Sequence, residues 1–262
     1  MSTTGVAEHS GEFVQSLDRG LAVIRAFGPE KPRLTLSDVA RETGLSRASA
    51  RRFLHTLVEL GYVGNEGGTF HLRPRLLELG YAYLSTLGLP EVARPHLRIL
   101  SEATGQSSSL AVLDDLEIVY VARVAVSRIM SAAIGVGTRL PTFATSMGRV
   151  LIAFSPEEVR ERFLERVDLP ALTPYTITDR DALRAELERV REQGWALVDQ
   201  ELEEGLRSIA VPVRDASGQV VAAVNVAAPA RRDAAPGRSE PLEPLLEAAA
   251  GIERDLAQTG VA

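Results

Sequence analysis

The chain has 262 residues, 45% of them apolar and 24% charged, the mix of an ordered protein with room for two domains. Cysteine is absent, which excludes disulfides, thiolate metal sites and cysteine nucleophiles. The net charge of −6 conceals a split: residues 13 to 75 hold ten Arg or Lys against six carboxylates, a local +4, so the acidity lies in the remainder.

In chain order, Ser16 is placed to cap a first helix, whose Leu17, Leu21, Ile24 and Phe27 keep the helical period until Gly28-Pro29 stops it. Ser37 is the expected cap of a short helix, Asp38 to Thr43, with Asp38 suited to the positive end of its dipole and Gly44 ending it. Leu45 follows as an apolar turn residue, and Ser46 opens a longer helix from Arg47 to Leu60, closed by Gly61. Along that helix Ala50, Phe53, Leu54, Leu57 and Leu60 form one stripe to be buried. Arg47, Arg51 and His55 share the opposite face, flanked by Ser49 and Arg52. Tyr62 and Val63, the turn Asn65-Glu66-Gly67-Gly68, and Thr69 to Leu72 read as strand, turn and strand, which is a wing.

Three helices and a wing make a winged helix-turn-helix, and the basic helix is the one such modules lay in a DNA major groove. Arg51 and Arg52 are then candidates for base edges, and Ser46, Arg47 and Ser49 for phosphates, with His55 on the same face. The alternatives are an ordinary solvated helix face, or a winged helix that binds protein and no nucleic acid.

Pro74 to Leu87 is predicted as a connecting helix, apolar on more than one side through Leu76, Leu77, Leu79, Tyr81, Tyr83 and Leu84, which favours pairing with a second subunit. Tyr81 and Tyr83 read as packing residues. Another helix starts at Pro90, runs to about Glu102 and ends near Gly105. Ser109 to Leu113 and Glu117 to Val124 flank the turn Asp114-Asp115, and Ile129 to Ile134 is a third strand. Helices are expected at Ser146 to Ala153, at Arg180 to Gln193 and at Pro241 to Ala257. Strands are expected at Trp195 to Asp199, Ile209 to Arg214 and Val220 to Val226, with a loop from Ala230 to Glu240. The fold class is therefore α+β: an antiparallel sheet with helices packed beside it, a common enclosure for a small-molecule pocket. The expected domains are 13–73 for the winged helix, 74–89 for the linker helix and 90–262 for the pocket domain.

Catalysis is tested by subtraction. All four histidines, His9, His55, His71 and His96, precede residue 107, so the pocket domain has no imidazole for a Ser-His-Asp relay or for a metal. Gly135-Val136-Gly137 does not continue into a dinucleotide fingerprint, and no phosphate-loop motif occurs. No metal or cofactor is expected. Asp199, Glu201, Glu203 and Glu204 form an acidic cluster, read either as a solvated loop or as the centre of an enzyme acting on a small carboxylate. Arg123 and Arg128 would suit as partners for a dicarboxylate, but read rather as surface or interface arginines. Met1 to Gly11 lacks the basic and apolar regions of a secretion signal and no apolar run is long enough for a membrane span, so the expected compartment is the cytoplasm.

Several segments together resemble the IclR-type transcriptional regulators. They are Gln15 to Val23, the helix-turn-helix, Leu140 to Arg149 (LPTFATSMGR) and Gly205 to Val213 (GLRSIAVPV). Arg128-Ile129-Met130 and Val198 to Gly205 (VDQELEEG) are similar to the PcaR/PcaU/PobR subgroup, which regulates aromatic-acid breakdown through the β-ketoadipate pathway. The resemblance implies a GAF-like C-terminal effector domain, a homodimer that often pairs into a tetramer, a double-stranded DNA operator, and a small carboxylate effector of the β-ketoadipate or protocatechuate class. It carries effector contacts onto Ser146, Met147 and Gly148 at a helix start, and onto Asp199, Leu206, Ser208 and Asn225. Physical chemistry agrees for the first three, since open amides at a helix start bind anions, although Ser146 reads equally as a plain cap.

Overall fold

A computed structural model describes residues 12–126, 134–230 and 241–259. Contacts divide the chain into two compact units that meet between Tyr83 and Leu84, inside the stretch expected as a linker.

The first unit holds α1 (Gln15–Arg25), β1 (Arg33–Thr35), α2 (Leu36–Thr43), α3 (Arg47–Glu59), β2 (Val63–Glu66) and β3 (Thr69–Leu72). Its core gathers Val23, Phe27, Leu34, Val39, Ala50, Leu54, Leu57, Val63 and Phe70. The stripe expected on α1 divides: Ile24 and Phe27 pack inward beside Val23, while Leu17 and Leu21 stay 63% and 44% exposed. Ser16 is not a cap, because α1 starts one residue before it, at Gln15, behind an uncapped Val14.

The cap of α2 is Thr35 rather than Ser37. Thr35 Oγ1 accepts from the Asp38 amide at 3.3 Å while Asp38 Oδ2 accepts from the Thr35 amide at 3.1 Å, so two orphan donors are satisfied reciprocally. The two residues before Thr35 are extended and pair with β3, adding a third strand, in the order β1-β3-β2, to the two expected in the wing. Ser46 does cap α3, accepting from the Ser49 amide at 3.2 Å. Ala50, Leu54 and Leu57 are buried as expected, but Leu60 is 50% exposed because the helix has ended at Glu59. Between β2 and β3 the turn is only Gly67-Gly68, and Glu66 already faces Thr69 in the ladder. Both glycines have positive φ, +59° and +85°, the backbone demanded by a two-residue hairpin and closed to most side chains. Past the wing, a 3-10 turn (Pro74–Leu76) leads into α4 (Leu77–Leu87).

The second unit continues with α5 (Leu89–Thr104), β4 (Ser107–Asp114), β5 (Glu117–Val124), β6 (Arg139–Pro141), α6 (Ser146–Ala153), α7 (Glu157–Arg166), α8 (Arg180–Gln193), β7 (Ala196–Asp199), β8 (Leu206–Arg214), β9 (Val220–Pro229) and α9 (Leu242–Thr259). The six strands form one antiparallel sheet in the order β6-β5-β4-β9-β8-β7. One face packs on α5 and α9 through residues such as Leu97, Leu110, Val224, Val226 and Ile252. The other packs on α6 and α8 through Ile118, Tyr120, Met147, Val150, Leu187 and Ala210. Both faces being covered explains why β9 buries every residue from Ala222 to Val226 instead of alternating.

Two details depart from the expected elements, and two expected elements fall largely on residues not described. β8 begins at Leu206 rather than Ile209, because Asp199 and Val198 of β7 pair with Arg207 and Ser208. α7, which buries only Phe163 and Leu164, gives too narrow an apolar stripe to stand out in sequence. The strand expected at Ile129 to Ile134, apart from Ile134, and the loop expected at Ala230 to Glu240, apart from Ala230, lie outside the described residues. Among the described residues no helix is long and apolar enough to cross a membrane.

Candidate functional site

Among the described residues, each unit presents a place where polar groups useful to an external partner are left without one inside the fold. The first is the outer face of α3. Arg47, Arg51, Arg52 and His55 are all exposed, Ser49 is half-buried, and Ser46 is exposed with its hydroxyl donating to Ser49 Oγ at 3.0 Å. The same unit pairs most of its other cations with acids: Lys31 with Glu42 at 2.8 Å, Arg33 with Glu66 at 2.8 Å, Arg41 with Asp38 at 2.7 Å, and Arg75 with Glu78 at 3.4 Å. Among the described residues no carboxylate pairs with Arg47, Arg51 or Arg52. Three adjacent guanidinium groups thus project from one helix with their hydrogen-bond donors free for an external acceptor.

The second place is a cavity in the C-terminal unit, with about 540 Å³ of empty space, part of it open to solvent, between the sheet and the start of α6. Of the residues expected to contact an effector, Ser146, Met147, Leu206, Ser208 and Asn225 line it. At its floor Ser146 Oγ and Ser208 Oγ lie 2.7 Å apart, and Asn225 Nδ2 donates to Ser208 Oγ at 2.9 Å. Asn225 Oδ1 is buried and has no partner. At the head of α6 Thr145 Oγ1 accepts from the Gly148 amide at 3.2 Å, and the Arg149 amide bonds the Thr145 carbonyl. The amides of Ser146 and Met147 are the remaining open donors of that turn.

Gly148 and Asp199 are not brought to the cavity lining. Gly148 serves a close approach: a β-carbon there would fall 2.3 Å from the Thr142 carbonyl oxygen, so the residue lets α6 lie against the preceding turn. The Asp199 side chain is 45% exposed and sits 3.9 Å from Arg207 Nε. The acidic cluster is also not one solvated run. Glu201 is 8% exposed and grips the buried Arg149 bidentately, at 2.8 and 2.5 Å, while accepting from the Ile177 amide at 3.1 Å. Among the described residues no acidic side chain lines the cavity.

Among the cavity residues that sequence reasoning did not place there are Tyr120 and Arg123. Three residues apart on a regular strand, they would point to opposite faces. β5, however, carries a bulge: Leu110 faces Ala122 and the next residue, Ala111, faces Tyr120, leaving Val121 as an extra residue. Val121 and Ala122 both pack toward α5 and α9, so Tyr120 and Arg123 both turn to the cavity. Burial pushes the Tyr120 phenol up to about 12, which keeps it a neutral hydroxyl. Arg123, taken in the sequence for a surface or interface group, donates from Nη1 to Ser109 Oγ at 3.0 Å and holds a buried Nε without a partner.

A profile for the IclR helix-turn-helix domain matches residues 16–67, and one for the bacterial transcriptional regulator IclR C-terminal matches residues 81–254. The chain belongs to the IclR family of transcriptional regulators. This regulator is 48% identical to the Pca regulon regulatory protein of Pseudomonas putida over 82% of its own length and 74% of that protein's. It superposes with a TM-score of 0.82 on the crystal structure of a Rhodococcus sp. RHA1 protein described as a transcriptional regulator, 56% identical over 94% of this chain and 100% of that one. An IclR homologue from Microbacterium hydrocarbonoxydans complexed with 4-hydroxybenzoate gives a TM-score of 0.81 at 32% identity, covering 93% and 99% of the two chains. The curated relatives support the PcaR/PcaU/PobR subgroup expected from the sequence. These relatives regulate transcription and are not enzymes, so the catalytic reading of the acidic cluster falls, in keeping with a Glu201 already committed to Arg149.

Proposed function

We propose that this regulator controls genes of aromatic-acid breakdown, reading a palindromic operator as a dimer and responding to a small carboxylate held in the C-terminal cavity. The observation that carries the reading is the row of unpaired Arg47, Arg51 and Arg52 on an exposed helix whose unit neutralises most of its other cations. In this reading Arg51 and Arg52 reach base edges, and Ser46, Arg47, Ser49 and His55 stand along the sugar-phosphate backbone. The working domains are 13–73, 74–89 and 90–262, and the cell compartment is the cytoplasm. Dimerisation, with pairing into a tetramer, is supported by the apolar surface left on α1 and α4, where Leu17, Leu77, Leu79, Tyr81 and Tyr83 are more than half exposed.

The effector belongs to the β-ketoadipate or protocatechuate class. Its carboxylate lies at the open amides of Ser146 and Met147, with Ser146, Ser208 and Asn225 completing the polar floor and Leu206 the apolar wall. The relation to the Pca regulon regulator and to a homologue that binds 4-hydroxybenzoate supports this class. The effector changes DNA affinity only through its different affinity for two arrangements of the dimer.

The test is binding to the DNA upstream of the regulator's own gene and to a scrambled duplex, across salt concentrations, with and without β-ketoadipate, protocatechuate or 4-hydroxybenzoate. Preference for the upstream DNA, shifted by one of the acids, is expected. Failure to bind either duplex at any salt concentration would instead make the winged helix a protein-interaction module.

A further inference from the structure

Among the described residues, Arg123 is the single charged one lining the cavity. Its position is set by the sheet: Arg123 of β5 and Asn225 of β9 both face Ser109 of β4 in register, so the three lie in one row across adjacent strands. The row continues from Asn225 to Ser208 and Ser146 by hydrogen bonds of 2.9 and 2.7 Å. The cavity therefore has two poles. One is the start of α6 with its open amides and hydroxyls, bonded to Ser208 of β8, and the other is a guanidinium on β5, three strands from β8 or about 14 Å in backbone spacing.

The guanidinium is incompletely satisfied. Its Nη1 donates to a neutral hydroxyl, its Nε is buried without an acceptor, and among the described residues no carboxylate pairs with it. Burial lowers the Arg123 pKa from its ordinary value, the direction expected of a cation that lacks a counter-ion. A cation half-withdrawn from water is stabilised only when an anion reaches it, and arginine presents the planar fork that grips a carboxylate with two bonds. Tyr120 beside it is a neutral phenol and supplies no charge.

We infer that Arg123 is the counter-ion for a second anionic end of the effector, so that the cavity selects small dicarboxylates over monocarboxylates of the same length. The inference rests on the reading of this cavity as the effector site and deepens it. The first carboxylate meets the Ser146 and Met147 amides, the apolar middle lies against Ile134, Leu202 and Leu206, and the second carboxylate closes on Arg123.

Calorimetric titration with two matched pairs tests it: adipate against hexanoate, and terephthalate against benzoate. Wild-type protein is expected to prefer the diacid of a pair by about tenfold or more, the size of one charge-assisted pair. Arg123→Gln should erase that preference while leaving monoacid affinity within about threefold, and Arg123→Lys, which keeps the charge but not the fork, should keep part of it. Ser208→Ala, at the other pole, should weaken both members of a pair alike. A wild-type protein that binds none of the four acids overturns the cavity reading and the inference together. A wild type without diacid preference, or one whose preference survives Arg123→Gln in a protein of unchanged melting temperature, overturns the inference alone. If Arg123→Gln melts early, Arg123→Lys decides: full retention of the diacid ratio with loss of affinity for every acid would mark Arg123 as a packing residue.

Discussion

Arg51 and Arg149 carry the same guanidinium into opposite circumstances. Arg51 stands in solvent on α3 with no acid beside it, whereas Arg149, 1% exposed, gives Nε to the Phe143 carbonyl and both terminal nitrogens to Glu201. The first can act only on something outside the chain. The second is saturated, and what it does is hold the acidic loop before β8 against α6, two of the elements that wall the cavity. Arg123 stands between them, partly withdrawn from water and partly bonded, and that incompleteness is the mark of a ligand-facing group.

The sharpest way to break the comparison is to remove the saturated arginine. Arg149→Met leaves Glu201 buried and unpaired and is expected to lower unfolding stability by about 3–5 kcal/mol in urea denaturation, with Arg149→Met/Glu201→Leu recovering much of the loss. Arg51→Ala should do the reverse: stability stays within about 0.5 kcal/mol, while preference for operator over scrambled DNA falls by about 1–3 kcal/mol in a binding titration. An equal loss on both duplexes would refute base reading by Arg51. Arg47→Ala should weaken both duplexes together and flatten the plot of log affinity against log salt by about one unit. Thr35→Ala, which removes the cap of α2, is expected to lower stability by about 1 kcal/mol.

The smallest effect concerns acid. The Thr35 hydroxyl and amide and then Arg41 hold the Asp38 carboxyl below its ordinary value. A depressed carboxylate stabilises the folded state at pH values above the ordinary carboxylate range, and that contribution is lost as pH falls through the folded value. Melting curves between pH 6 and pH 3 should therefore show a shallower acid decline in Thr35→Ala than in the parent, because the first-ranked cause of the shift is gone.

The helices that carry the function were legible because periodicity and capping agree in them: α3 behind Ser46, α6 and α8 at their expected residues. What escaped follows from three physical causes. Ser37 and Thr35 are equally good caps on paper, and pairing of β1 with β3 chose the earlier one. The charge run Asp199 to Glu204 looked uniform, but one member, Glu201, found a buried arginine 52 residues earlier, which spacing along the chain does not reveal. Arg123 escaped because strand alternation assumes no extra residue, and β5 has one at Val121. Leu17 and Leu21 keep a helical period yet stay exposed, since periodicity marks an apolar face without saying which surface covers it.

That extra residue sets a frame. Upstream of Val121 the strand is phased by its pairing near Ile118 and Tyr120, and downstream by Ala122 to Val124, with the two phases offset by one. Deleting Val121 would join both halves into one regular ladder with Arg123 still on the cavity side, whereas keeping Val121 and pairing it regularly would turn the guanidinium toward α5 and α9. A homologue one residue shorter at this point would then keep an arginine on the same wall, and one that kept the length but lost the bulge would not.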